Sequence, residues 1–143
     1  MNWKPYEHTV QYYETDQMAI VHHSNYIRWF EEARVDWMSQ LGIPYQALEA
    51  RGIIIPVLSV SAEYRTMTRF GETVRITPRL TRYSGVRMEV SYEITNAETG
   101  ELRTRGTTAH CFLNRSYRPV TLKRYAPEYD AIFQAAAETG NRE

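Results

Sequence analysis

The sequence predicts an α+β domain on three observations. Tyr26 to Leu41 carries apolar residues at helical spacing, four later segments alternate apolar and polar residues, and turn residues separate those segments at short range. A helix with one apolar stripe and a sheet with one apolar face bury each other in two layers.

Each element has its own warrant. Tyr6 to Tyr13 alternates, with Tyr6, His8, Val10 and Tyr12 on one face, and reads as a half-buried strand. Glu14 to Asn25 has no period and reads as a loop. In the helix that follows, Tyr26, Trp29, Phe30, Ala33, Trp37 and Leu41 recur every three or four residues. Ser24 or Asn25 can cap its start, and Gly42 with Pro44 stops it. Tyr45 to Arg51 allows a short second helix. Leu58, Val60, Ala62 and Tyr64 then form one face of a second strand. Val74, Ile76 and Leu80 mark a third, with Pro78 signalling an edge or a bulge. Val86 to Thr95 alternates cleanly, and Leu102 to Leu113 is a long Thr-rich strand. Turns are expected at Arg69 to Glu72, Tyr83 to Gly85 and Glu98 to Gly100, so neighbouring strands should form antiparallel hairpins. The outward face of the sheet, rich in Arg and Thr, should be solvated. Tyr129 to Ala137 should be a C-terminal helix.

Composition excludes several function classes. The 143 residues fit one domain, 1–143, long enough to bury a sizeable core. Lys+Arg and Asp+Glu are both 17, so no net basic character points to nucleic acid. Cys111 is the single cysteine, which forbids an internal disulfide and a Cys-rich metal site and suits a reducing, cytoplasmic setting. No segment approaches 18 apolar residues, and the N-terminal residues lack the apolar run of a signal peptide. Aromatic residues make up 13% of the chain, which points to a bulky core, an interface or a ligand groove.

The chemistry concentrates in Tyr12 to Tyr26, where carboxylates and two adjacent histidines precede a helix start. Unbonded N–H groups there can stabilise an oxyanion, and a carboxylate nearby can attack a carbonyl or activate water. The residues alone leave alternatives open: Asp16 reads more readily as an Asx-turn residue, and Tyr12 as a core tyrosine. His22-His23 lacks the spacing and partners of a metal site. No G-x-S-x-G elbow, G-x-G-x-x-G fingerprint or P-loop is present.

Tyr12-x-Glu14-x-Asp16, followed by Ile20-Val21-His22-His23-Ser24-Asn25-Tyr26 and Arg28 to Arg34, resembles the 4-hydroxybenzoyl-CoA thioesterase family of hotdog-fold proteins. The likeness is greatest to the bacterial acyl-CoA thioesterase branch associated with the Tol–Pal cluster. It runs from about Glu7 to about Phe133. The resemblance implies a five-stranded antiparallel sheet wrapped around a long central helix. It implies acyl-CoA hydrolysis with Asp16 as nucleophile or general base, and with Tyr12 and His23 in the active site. His22 would line or support the site. Arg82 and Arg87, flanking the Tyr83-Ser84-Gly85 turn, would bind the nucleotide end of CoA, with Arg69 and Arg65 as further candidates. No metal or other cofactor is implied. A homodimer or homotetramer is, with the site at the interface. An acyl-carrier-protein thioesterase, or a non-catalytic acyl-binding or scaffold protein on the same fold, is the alternative. One departure stands out: Ala19 occupies a position where relatives often have Gly, and it would be strained at positive φ.

Overall fold

The computed structural model describes residues 3–142, with side chains as far as residue 138. Residues 1, 2 and 143 of the expected domain lie outside the described residues. The elements run β1 (Tyr6–Thr9), a 3-10 turn (Tyr12–Glu14), α1 (Ser24–Leu41), α2 (Tyr45–Ala50), β2 (Val57–Tyr64), β3 (Thr73–Tyr83), β4 (Arg87–Asn96), β5 (Leu102–Cys111), α3 (Leu122–Tyr125) and α4 (Pro127–Arg142). The five strands form one antiparallel sheet in the order β1-β3-β4-β5-β2, the α+β hotdog arrangement expected from the sequence.

The helix stripe is buried as expected. Trp29, Phe30 and Ala33 are fully buried, and Tyr26, Trp37 and Leu41 nearly so. They meet Ile76, Leu80, Val90, Tyr92 and Ile94 from the inner face of the sheet. Phe30 stacks on Tyr92 with ring centroids 4.5 Å apart. Gly106 makes this approach possible, because a Cβ there would fall 2.4 Å from the Phe30 ring. Gly42 ends α1 at φ +92°, donating to the carbonyls of Met38 and Ser39. Phe133 of α4 fills the space between Tyr83 and Trp37.

Two expectations need correction, and one element is new. The first strand stops at Thr9 rather than Tyr13. Beyond it the Glu14 carboxylate accepts the Gln11 N–H, turning the chain into the 3-10 turn, so Tyr12 leaves the apolar face. Next, β2 and β3 are not a hairpin. β2 pairs with β5 at the far edge, and residues 65–72 cross the sheet to β3. That crossing spans three strand gaps, about 14 Å, well within the reach of the segment. Finally, α3 had no sequence signal distinct enough to predict it. Pro78 lies on β3 beyond the end of β1, which pairs only as far as Ile76, and a register shift follows between Leu80 and Arg82.

The edge strand β2 is exceptional. Its inward-reading residues are exposed: Leu58 at 47%, Val60 at 43% and Tyr64 at 46%. An apolar edge strand with one unpaired backbone side is a template for another strand.

Candidate active site

The loop between β1 and α1 is closed by short backbone bonds. The Asp16 N–H donates to the Ile20 carbonyl (2.9 Å) and the Ala19 N–H to the Asp16 carbonyl (2.9 Å), while Thr15 and Val21 form an isolated bridge. Ala19 sits at φ 63°, the left-handed conformation that its place in the loop had put in question.

Glu14 anchors this loop from beneath. It is 5% exposed and accepts three hydrogen bonds of 2.8 Å, from the Gln11 N–H, the Trp29 indole and His8 Nε2. Its backbone carbonyl accepts the His22 N–H and the Asn25 side-chain amide. Burial alone would raise its carboxyl pKa. The bonds from Gln11, His8 and Trp29, with the His8 charge, outweigh burial and hold it below the usual range. The sequence places Glu14 in the loop motif but assigns it no role. The signal available was an acidic residue followed fifteen positions later by a helix-face tryptophan, which is too generic to single out.

Above this anchor lies a cavity of about 240 Å³, lined by Asp16 and His23 together with Ile20, Tyr26, Tyr64 and Met67, among others. Two of the three expected catalytic residues therefore meet. Asp16 Oδ1 accepts the Met18 N–H at 2.8 Å, so the residue is also the Asx-turn its position suggested. Oδ2 has no protein partner among the described residues. His23 is the last residue before α1, its ring stacked on His22 at 4.2 Å and edge-on to Tyr64 at 6.3 Å. The helix start offers fewer open donors than expected. Ser24 N–H goes to His22 Nδ1, Asn25 N–H to the His22 carbonyl, and Tyr26 N–H to the His23 carbonyl. The His23 N–H makes no backbone hydrogen bond among the described residues.

The crossover segment supplies the opposite wall with Thr66 and Met67. It is held by Thr68, whose carbonyl accepts the Val21 N–H at 2.8 Å, and by buried Arg103, which bonds the Met67 carbonyl and pairs with Glu72 at 3.1 Å. Burial would raise the Glu72 carboxyl, but the Arg103 bonds and the Arg69 N–H hold it low. The sequence gives no sign of Thr66 and Met67 in this wall, because residues 66–68 carry neither period nor turn signature.

The remaining expected residues lie elsewhere. Tyr12 is 77% exposed and packs edge-on against Phe70, outside the cavity. Arg69 is exposed on the crossover, its N–H bonded to Glu72. Arg65 alone of the four arginines lines the cavity, and it pairs with Glu63. Arg82 and Arg87 are exposed at the β3–β4 turn. Thr73, near the loop, is about 30 Å from Arg82 along β3 at about 3.3 Å per residue. A single chain therefore keeps Asp16 and this pair at opposite ends of the sheet. His22 does not line the cavity, and its Nδ1 bonds the Ser24 hydroxyl at 2.8 Å.

Residues 10–135 match the model of the thioesterase-like superfamily. The chain is 32% identical over 128 residues to the Bacillus subtilis protein YneP, covering 89% of this chain and 92% of that one. It is 28% identical over 89 residues to the Escherichia coli acyl-CoA thioester hydrolase YbgC, covering 62% and 66%. The crystal structure of a DHNA-CoA thioesterase from Staphylococcus aureus superposes with a TM-score of 0.92 at 34% identity, covering 97% of this chain and 93% of that one. With its strand order, its central helix and a match over most of its length, the chain belongs to the thioesterase-like superfamily of hotdog proteins.

Proposed function

We propose that the protein is an acyl-CoA thioesterase, hydrolysing an acyl-CoA thioester to free acid and CoA. One observation carries this: Asp16, with one carboxylate oxygen uncommitted, and His23 line the same cavity at a helix start. The acyl-CoA thioester hydrolase and the DHNA-CoA thioesterase among its relatives support the reaction class. The finer placement in the Tol–Pal-associated branch, within the 4-hydroxybenzoyl-CoA family, rests on the loop motif.

In the mechanism, Asp16 Oδ1 stays bound to the loop. Oδ2 attacks the thioester carbonyl carbon or takes a proton from the attacking water. The oxyanion that forms is held by the His23 N–H, which has neither a backbone nor a side-chain acceptor among the described residues. The His23 ring, braced against Tyr64, orients the thioester or the water. The C–S bond breaks with CoA leaving as its thiolate, a good leaving group that needs little acid help; where Asp16 is the nucleophile, water then hydrolyses the resulting mixed anhydride, which releases the acid and restores the carboxylate. The reaction as written uses no metal or redox cofactor.

A single chain brings Arg65, already paired with Glu63, to the Asp16 cavity, and the substrate's nucleotide end requires further cations. A homodimer, alone or within a homotetramer, supplies them. Pairing the free edge of β2 antiparallel to a second copy sets the Val57 end of one strand beside the Tyr64 end of the other, and so carries Arg82 and Arg87 of one copy toward Asp16 of its partner. Arg69 stays with its own site. Tyr12, at the outer rim on Phe70, joins the site only from this assembled surface. We place the protein in the cytoplasm on its single cysteine and its substrate class. Among the described residues no helix is long and apolar enough to cross a membrane.

The test is release of free thiol from a panel of acyl-CoAs by wild type and Asp16→Asn. Turnover of at least one thioester by wild type, reduced at least about 10²-fold in the variant, is expected. Folded wild type that turns over no acyl-CoA or acyl-carrier thioester would sink the reading.

A further inference from the structure

A second cavity, of about 500 Å³, lies at the other end of the molecule between α1, α2 and the segment entering β2. Glu31, Val35, Tyr45, Ile55 and Pro56 line it with Arg34. Arg34 is 8% exposed, so its guanidinium is largely out of solvent. Its hydrogen bond is to a neutral group, Nη1 donating to the Tyr92 hydroxyl at 3.1 Å. Tyr92 and Thr108 share a hydroxyl bond of 2.6 Å, and Thr108 bonds His110 Nε2 at 2.7 Å.

No carboxylate pairs with Arg34 among the described residues. The contrast within the same fold is sharp, since the other buried arginine, Arg103, has Glu72 and Glu101. Glu31 stands one helical turn before Arg34 but at the exposed rim, and it forms no ion pair with it. His110 is the other titratable group behind Arg34, and burial, aided by the Arg34 charge, keeps it neutral. A guanidinium cannot shed its proton to relieve burial, and an uncompensated buried charge is costly. Five donors in a planar fork, few of them used by protein, bordering an open cavity with apolar walls, make a receptor for a planar anion.

We propose that this cavity binds a small carboxylate, with Arg34 as its recognition residue and the apolar walls holding the carbon skeleton. The carboxylate is either a free acid or the far end of an acyl group. The binding itself requires no turnover, so it stands apart from the thioesterase reading.

The test titrates the full chain with benzoate and succinate, and with benzyl alcohol as a neutral control, by NMR shift perturbation or calorimetry. Arg34→Met keeps volume without charge, and Arg34→Lys keeps charge without the fork; melting curves confirm that both fold. Saturable binding of a carboxylate but not the alcohol is expected, at least about tenfold weaker in Arg34→Met and intermediate in Arg34→Lys. No saturable carboxylate binding by wild type, or equal binding of the alcohol, would overturn the proposal. So would unchanged binding in folded variants. A kinetic arm identifies the source. If glutaryl-CoA has a lower KM than pentanoyl-CoA and the gap closes in Arg34→Met, the ligand is the acyl terminus. Equal KM values beside positive titrations identify a free acid. Failure of all turnover removes the thioesterase reading and leaves the titration result intact.

Discussion

The two ends of the sheet are built on opposite electrostatic plans. At the loop end, acids are neutralised by the protein itself: buried Glu14 by three donors, half-buried Glu72 by Arg103. Asp16 is the carboxylate there that keeps an oxygen for other chemistry. At the Val57 end, three arginines form no ion pair among the described residues: Arg34 is buried against a tyrosine hydroxyl, and Arg82 and Arg87 are exposed at their turn. Acyl-CoA needs both plans at once, a carboxylate at the thioester and cations at the phosphates. On the proposed reading, one chain carries two halves of a site at its two ends. The exposed apolar edge of β2 is the place where an antiparallel second copy would join them.

The largest effect should come from separating the halves. A lysine on the exposed face of the edge strand, Val60→Lys, should convert the assembly to monomers by light scattering and lower turnover per chain at least about 10²-fold, with melting unchanged within a few degrees. A wild type that is monomeric at micromolar concentration, or a monomeric variant with full turnover, breaks the comparison.

Next comes the anchor of the loop end. Glu14→Gln removes the charge facing His8 and sets an amide N–H₂ among donors that need an acceptor. A loss of about 2–4 kcal/mol in urea unfolding is expected. Turnover should fall further than stability alone explains, because Asp16 hangs on the same loop. Unchanged stability would show that the loop is held elsewhere.

The two ends should also respond to acid in separate windows. His110, at the cationic end, is pushed down from 6.5 to about 4 by burial and by the Arg34 charge, against a weaker opposing pull from the Pro56 backbone. Between those values the unfolded chain binds a proton that the folded chain refuses. Stability therefore falls as pH drops from 6.5 toward 4, by up to about 3 kcal/mol. Glu14 and Glu72, at the loop end, are held below 4.5, so their contribution is complete above 4.5 and is lost only as pH falls beneath it. Urea midpoints against pH should show two steps. His110→Gln should erase the upper step and leave the lower, and a single step in wild type would contradict the assignment.

Sequence made the helix stripe, most strand positions and the Asp16–His23 pair legible, because period and motif are local properties. It misplaced what depends on distant partners. Tyr12 fits an alternating pattern, yet Glu14 turns the chain and the strand stops at Thr9, four residues before the pattern ends. β2 carries a clear apolar alternation, but alternation does not say which strand pairs with it or whether its face is covered in one chain. Arg82 and Arg87 could be located on a turn from sequence, but their distance from Asp16 emerges only from register. Arg34 lies off the apolar stripe and reads as a surface residue until α2 and the β2 entry close over it.

The smallest effect concerns the loop itself. Ala19 is held at φ 63° by the closing bonds of Asp16 with Ala19 and Ile20. The left-handed conformation costs a Cβ-bearing residue about 1–2 kcal/mol, and glycine avoids that cost while losing about 0.5–1 kcal/mol more backbone entropy on folding. Ala19→Gly should therefore raise stability by between zero and about 1.5 kcal/mol, a rise of at most about 5 °C in Tm. The Cβ removed is exposed and does not line the cavity, so binding contacts are unaltered and any change in KM reports loop rigidity alone. A higher KM beside a higher Tm would show that the alanine is kept for a stiff loop that holds Asp16 in place. A fall in Tm would show that the loop relieves the strain by a route other than its backbone angle.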